Sequence, residues 1–332
     1  MRRRTLAWIA IAVATVACGK SSGGAKAGPS DAPAPHANVA PALAVDASAK
    51  PDVEKTRDEA LAATKPDKEL SCKRQPFASK IPIAEASGAT WMEDDTLLVI
   101  GDSGTNGAFL RLHSGDGSVL SKGALPLDSS ASDDLEGLSR IGSTVYAITS
   151  SGFMREWKPS GDAFELVRKS YSVAPKGDTK HACASARDSN CGPNYEGLCL
   201  LEDASETTPN DKAPCVGFAA SKARGELVCL TQDAKGRLAV RPQHTIPVAA
   251  PKTLSGCHFD ADGKLWFGNN VFAANSVGFV EGYQAPKSAT ITRLGALGLG
   301  FAEAIALGPD GQVVRFSDTT GSPSLLDKYI CR

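Results

Sequence analysis

From about Leu70 onward, short apolar runs alternate with turn residues, the pattern of consecutive β-strands. Glu85-Ala-Ser-Gly-Ala-Thr-Trp91 reads as a strand, Glu93-Asp-Asp95 as a turn, and Leu97-Leu-Val-Ile-Gly-Asp102 as a second strand. The same sentence is written four more times. Asp134-Leu-Glu-Gly-Leu138 leads to Ala147-Ile-Thr-Ser-Ser-Gly152, and Asn194-Tyr-Glu-Gly-Leu198 to Val216-Gly-Phe-Ala-Ala-Ser221. Leu254-Ser-Gly-Cys257 leads to Trp266-Phe-Gly-Asn-Asn270, and Ala302-Glu-Ala-Ile305 to Val314-Arg-Phe-Ser-Asp318. The shared position holds Gly88, Gly137, Gly197, Gly256 and Ala304, at intervals of 49, 60, 59 and 48 residues. Strand-rich repeats of this length predict the blades of a β-propeller.

Each copy extends to further strands. Examples are Ala108 to His113 with Ser118 to Leu125, and Phe153 to Trp157 with Ala163 to Val167. The last module has three strands, ending in Ser324 to Ile330. Its fourth is expected from Pro76 to Ile83, so that the N-terminal strand closes the ring and no edge stays open. The expectation is an all-β chain of five blades, with six as the alternative if Ser170 to Pro193 contains strands. That insert and Asp203 to Ala213 read as polar loops, which lengthen two of the intervals.

Ahead of the propeller, residues 70–332, lie two other segments. Residues 1–17 combine a basic start, Met1-Arg-Arg-Arg4, with an apolar stretch from Leu6 to Val16 that is too short to span a bilayer. Thr15-Val-Ala-Cys18 resembles the lipobox of bacterial lipoproteins, which implies a lipid on Cys18 and a tethered envelope protein. Residues 18–69 are dominated by Ala, Pro, Ser, Gly, Asp and Lys and read as a disordered tether. Outer-membrane anchorage is expected, with the head in the periplasm or at the surface. The net charge of −1 and the lack of a basic block beyond the signal exclude a nucleic-acid binder. A monomer is expected.

The chain has nine cysteines, so eight remain once Cys18 is set aside. An even number in an exported chain predicts disulfides. Cys183 and Cys191 bracket one polar loop, and Cys72 and Cys331 meet if the ring closes. Cys199, Cys215, Cys229 and Cys257 lie on neighbouring strands of the third and fourth modules, with their connectivity open.

First strands of a propeller line its axis. The position before the shared glycine therefore forms a ring: Ser87, Glu136, Glu196, Ser255 and Glu303. Second strands run back towards the same face, which adds Asp102, Ser151, Ser221, Asn269 and Asp318. Three carboxylates on a narrow axis repel unless they are protonated or hold a cation. Oxygen-only donors favour a hard ion such as Ca²⁺. The expected metal ligands are Glu136, Glu196, Glu303, Asp102, Asn269 and Asp318. A purely structural rim, its carboxylates accepting backbone N–H bonds, is the competing reading. His258 is expected as a packed histidine or, in the minority reading, a proton carrier. Lys222 and Arg155 are expected as solvated cations near the rim. No nucleophile elbow, Walker loop, dinucleotide fingerprint or HExxH occurs.

Ser87-Gly-Ala-Thr-Trp91, Val99-Ile-Gly-Asp-Ser-Gly104, Asp134-Leu-Glu-Gly137 and Asn194-Tyr-Glu-Gly197 together resemble the phytase-like propellers. That group includes the domains labelled esterase-like activity of phytase and the SdiA-regulated propellers. The resemblance implies an exported propeller with an acidic rim and calcium. Two ring positions are serine and no basic cluster accompanies the acids, which departs from true phytases. A more distant similarity to gluconolactonase and paraoxonase propellers implies an axial divalent ion held by Glu136, Glu196, Asn269 and Glu303. The leading expectation is a lipid-anchored envelope propeller that binds Ca²⁺ and acts on a small anionic or protein ligand as a binding module. The alternative is a metal-dependent hydrolase of phosphate esters or lactones.

Overall fold

The computed structural model describes residues 65–69, 71–202, 215–271, 274–299, 301–318 and 323–331. Cys18 and the expected signal and most of the tether lie outside them. Five antiparallel sheets are arranged as the repeat predicts. Blade I comprises β3 (Ala86–Trp91), β4 (Leu97–Gly101), β5 (Ala108–Leu112) and β6 (Val119–Ala124). Blade II comprises β7 (Leu135–Ile141), β8 (Thr144–Thr149), β9 (Phe153–Ser160) and β10 (Ala163–Ser172). Blade III has β11 (Tyr195–Leu200), β12 (Gly217–Ser221), β13 (Glu226–Gln232) and β14 (Leu238–Val240), with β15 (Ile246–Pro247) also paired to β13. Blade IV has β16 (Leu254–Phe259), β17 (Leu265–Val271), β18 (Ala274–Glu281) and β19 (Thr290–Leu299). Blade V has β20 (Phe301–Leu307), β21 (Gln312–Asp318) and β22 (Ser324–Cys331).

The ring closes through the N-terminus as expected, but on a segment that starts earlier than Pro76 to Ile83. The outer strand of blade V is β1 (Cys72–Gln75), with Cys72 opposite Cys331 and Gln75 opposite Lys328. Pairing stops at Pro76, which has no N–H to give. It resumes at β2 (Lys80–Ile81), opposite Leu325 and Ser324. Pro76 to Ile83 therefore contributes only its second half, and four residues upstream supply the rest.

Burial falls from the axis outward. Every residue of β3, β11 and β16 is buried, whereas β6 is exposed at five of six positions. The first strands pack tightly enough to explain the repeated glycine. A Cβ on Gly137 would lie 2.2 Å from the Leu198 nitrogen, and one on Gly197 2.7 Å from the Gly256 Cα. At Gly256 the nearest atom is 3.7 Å away, so blades IV and V are less closely apposed. Ala304 in the last copy sits beside this looser seam.

Along the axis, Ala89, Leu138, Leu198, Cys257 and Ile305 leave a space of about 10 Å³, room for roughly one water. On the face reached by the ends of the first strands lies a cavity of about 800 Å³ bounded by Trp91, Arg140, Glu202, His258, Tyr283 and Pro309. The starts of the same strands form the other face.

Four disulfides join Cys72 to Cys331, Cys183 to Cys191, Cys199 to Cys257 and Cys215 to Cys229. Cys199 and Cys215 are hairpin neighbours but not partners: one bond stitches blade III to blade IV, the other stays within blade III. Thiols paired in this way place the domain in an oxidising, extracytoplasmic compartment.

Candidate metal centre

In all five blades the first two strands slip register at the same place. Ala86 pairs with Gly101 and Gly88 with Ile100, so Ser87 is an extra residue. Leu135 and Gly137 flank Glu136 in the same way, Tyr195 and Gly197 flank Glu196, Leu254 and Gly256 flank Ser255, and Ala302 and Gly-equivalent Ala304 flank Glu303. The ring position is thus a β-bulge repeated five times. A bulge re-aims the side chain of its extra residue, and this one delivers carboxylates to the rim from blades II, III and V.

The two serines of the ring are not equivalent to the acids. Ser87 donates its hydroxyl to the Leu135 carbonyl at 2.6 Å, tying blade I to blade II. Ser255 is buried at 1% exposure.

The three glutamates divide into two groups. Glu196 and Glu303 share Lys222, whose Nζ lies 3.1 Å from Glu196 Oε2 and 3.9 Å from Glu303 Oε2. Asn194 Nδ2 donates to Glu196 Oε1 at 2.9 Å, and Asn270 Nδ2 to Glu303 Oε1 at 3.4 Å. Lys222 is therefore not a solvated surface cation; it is the built-in counter-ion of this pair. Burial works against its charge, but Glu196 and Glu303 outweigh that and hold its pKa above the ordinary lysine value.

Glu136 stands in the other group. It is 94% buried, since its relative exposure is 6%. Among the described residues no hydrogen bond or ion pair reaches its carboxylate. Its oxygens, with those of Asp102 and Asp134, provide one ligand atom each within 4.8 Å of one another. Asp102 takes the Ser103 N–H. Asp134, exposed by only 2%, accepts the Ser150 hydroxyl. The neighbouring Asp133 instead ties down the loop after β4, taking the N–H groups of Gly104 at 3.0 Å and Asn106 at 3.2 Å.

Burial and like charges favour the protonated form of Glu136, Asp102 and Glu196. Burial, reinforced by Glu196, Asp102, Asp134 and Glu303, pushes Glu136 well above the usual carboxylate range. Burial raises Asp102 to about 7, with the charges of Asp134 and Glu85 adding and the Ser103 N–H opposing. Burial also raises Glu196 to about 8, where Glu303 and Asp102 add and Lys222 opposes.

The second-strand positions are less uniform than their spacing suggests. Gly101, Thr149, Ser221, Asn269 and Ser317 are the true register equivalents, so Asp102 and Asp318 lie one residue beyond and Ser151 two. Ser221 donates to the Pro193 carbonyl at 2.6 Å, and Ser151 shares a 2.7 Å bond with Thr149. Asn269 donates its Nδ2 to Ser276 at 3.3 Å and leaves its Oδ1 buried without a partner; its neighbour Asn270 makes the contact to Glu303. Asp318 ends β21 opposite Phe301, and its side chain lies outside the described set.

Arg155, expected as a solvated cation, is buried instead, and His258 is packed as expected. Arg155 is exposed by 1% and sits 3.6 Å from Asp128. Its Nη2 donates to the carbonyls of Ala131 and Ser132, bracing the loop that leads into Asp133 and Asp134. His258 belongs to the cavity on the opposite face. Its Nδ1 is 2.6 Å from the Phe259 carbonyl, and burial lowers its pKa to about 4, so it stays neutral.

Asp134, Asn194, Asn270 and the pairing role of Lys222 are the residues that the repeat reading missed. One signal was available: Asp134 and Asn194 occupy the same place, two residues before a ring glutamate, in Asp134-Leu-Glu and Asn194-Tyr-Glu.

No family model and no curated protein matches the sequence. Among solved structures, the chain is similar to the glutaminyl cyclase of Myxococcus xanthus, with 13% identity, a TM-score of 0.48, and coverage of 80% of this chain and 98% of that one. The PQQ-bound aldose sugar dehydrogenase of Streptomyces coelicolor gives 15% identity, a TM-score of 0.46, and coverage of 80% and 100%. Regucalcin, a calcium-binding protein of Agrobacterium tumefaciens, gives 14%, 0.41, and coverage of 77% and 96%.

Proposed function

We propose that the carboxylate rim binds one divalent cation, Ca²⁺ by the chemistry of its donors, and that the propeller serves as a ligand-binding module of the cell envelope. The observation that carries this reading is Glu136: a residue exposed by only 6%, its carboxylate reached by no hydrogen bond or ion pair among the described residues and within 4.8 Å of the oxygens of two more acids. Ionising such a group is costly, so it keeps a proton while the rim is cation-free; a cation is the compensation that lets it ionise and also satisfies its neighbours. The spacing suits the ion. Oxygens bound to one Ca²⁺ at about 2.4 Å lie at most about 4.8 Å apart, and the three ligand atoms fall within 4.8 Å. All-oxygen, carboxylate-rich donors select Ca²⁺ or Mg²⁺ over Zn²⁺ or Cu²⁺.

In this reading Asp102, Asp134 and Glu136 hold the ion. Glu196 and Glu303 stay with Lys222 and set the negative field around it. Lipidation of Cys18 and membership of the phytase-like group belong to the same proposal, resting on the lipobox-like Thr15-Val-Ala-Cys18 and on the motifs around Ser87, Glu136 and Glu196.

Calorimetric titration of Ca²⁺ into the chelated full-length protein tests the reading. Saturable binding of one ion, abolished by Glu136→Gln together with Asp134→Asn, is the expected result. Absence of heat and of any thermal shift would leave the rim purely structural. Turnover of a phosphomonoester or lactone that disappears with chelator would instead make the module an enzyme.

A further inference from the structure

The loop between β10 and β11 carries the Cys183–Cys191 bridge. It does not merely cover the rim. The N–H of Asn190, inside the bridged ring, donates to the Ser150 hydroxyl oxygen at 3.0 Å, and that hydroxyl donates to Asp134. Cys183 N–H donates to the Ser151 carbonyl at 2.8 Å. The carbonyl of Ala186, also inside the ring, accepts the Ser132 N–H at 2.9 Å, two residues before Asp134. The Cys191 carbonyl accepts the Asn194 N–H at 3.1 Å, and the Asn194 side chain holds Glu196. Both carboxylate groups of the rim are thus reached from one nine-residue covalent ring. Asn190 has a positive φ of 53°, a conformation that asparagine tolerates and that this hydrogen bond uses.

We infer that the Cys183–Cys191 loop is a clasp that fixes the geometry of the cation site, with Ser150 and Asn194 as its positioning residues. The inference rests on the cation reading above and adds how the site is held. Ser150 plays the part of an outer-shell partner: its hydroxyl receives a proton-side contact from the clasp and passes one on to the ligand. Outer-shell partners of this kind are worth roughly ten- to hundredfold in metal affinity. Without the bridge, Asn190 and Ala186 lose their fixed positions, and the Ser150 hydroxyl that orients Asp134 loses the N–H that holds it.

The test is Ca²⁺ calorimetry on the full chain, comparing wild type with Ser150→Ala, Ser150→Thr and the double variant Cys183→Ser/Cys191→Ser. Melting of each protein in EDTA runs alongside. The clasp predicts affinity roughly ten- to hundredfold weaker for Ser150→Ala and for the double variant. Ser150→Thr keeps the hydroxyl and recovers affinity. Wild-type affinity in both weakened variants would overturn the inference alone. So would a loss in Ser150→Thr equal to that in Ser150→Ala with the EDTA melting temperature falling in step, since that is packing and not positioning. Failure of the wild type itself to bind Ca²⁺ would overturn the cation reading and take the clasp with it.

Discussion

Lys222 holds two carboxylates at once, 3.1 Å from Glu196 and 3.9 Å from Glu303. Replacing it with methionine leaves those acids facing each other without a counter-charge. Breaking a fully buried pair costs about 3–5 kcal/mol. Lys222 is 28% exposed in its side chain, so solvent screening reduces this to about 2 kcal/mol. The cost should appear in urea denaturation of chelated protein at pH 8.5 and shrink at pH 5, where Glu196 carries a proton. Equal stability of Lys222→Met and wild type at pH 8.5 would mean that the ammonium is not the counter-ion. At this scale the sequence was informative about Glu136, Glu196 and Glu303, because the repeat marks their position five times. For Asp134 it offered only the place shared with Asn194, two residues before a ring glutamate, and it put Lys222 near the rim without a partner. Which residues meet across the axis decides both roles, and spacing along the chain does not encode that. Arg155 shows the converse: a cation near the acids in sequence is spent on the carbonyls of residues 128, 131 and 132.

The element that makes the site is the bulged first strand, and the glycine that follows the bulge has a separate task. Gly137 lets β7 approach β11 so closely that a methyl group would fall 2.2 Å from the Leu198 nitrogen. Backbone cannot yield by that much, so Gly137→Ala is expected to destabilise by about 3 kcal/mol or more, beyond ordinary overpacking. Gly256→Ala, with 3.7 Å of clearance, is expected to cost under about 1 kcal/mol. Denaturant midpoints of the two variants check the contrast, and similar losses in both would contradict the packing order. Strand identity and blade count were legible because apolar alternation and turn residues repeat together. The closing strand was half legible. Ile81 and Ile83 carry an apolar signal, whereas Cys72–Gln75 is otherwise polar and was marked only by Cys72, expected opposite Cys331.

For the whole molecule, the rim couples stability to pH and to the ion. Asp102 and Glu196 are raised to about 7 and about 8, from ordinary values of 3.8 and 4.5. Between the two ranges the folded protein binds more protons than the unfolded chain, so stability falls as pH rises. Cation-free protein should therefore lose stability from about pH 4 to about pH 8 and level off above, as far as these groups decide it. Ca²⁺ affinity should climb over the upper part of that interval, because the protons must leave before the ion enters. Melting in EDTA and Ca²⁺ titrations at pH 5.5, 7 and 8.5 check both signs; affinity that is flat or falls with pH would contradict them. Four disulfides support the shell around this strained centre, one of them closing the ring between residues 259 apart in the chain. Their existence followed from the cysteine count, while the crossing of Cys199 to Cys257 required the blades to be placed side by side.

The most direct test is a crystal structure of the full chain grown with Ca²⁺ and collected at a wavelength where calcium scatters anomalously. The expected result is a single anomalous peak coordinated by Asp102, Asp134 and Glu136, with Lys222 still between Glu196 and Glu303. A rim without a peak at saturating Ca²⁺, or an ion that displaces Lys222 while Glu136 remains uncoordinated, would contradict it.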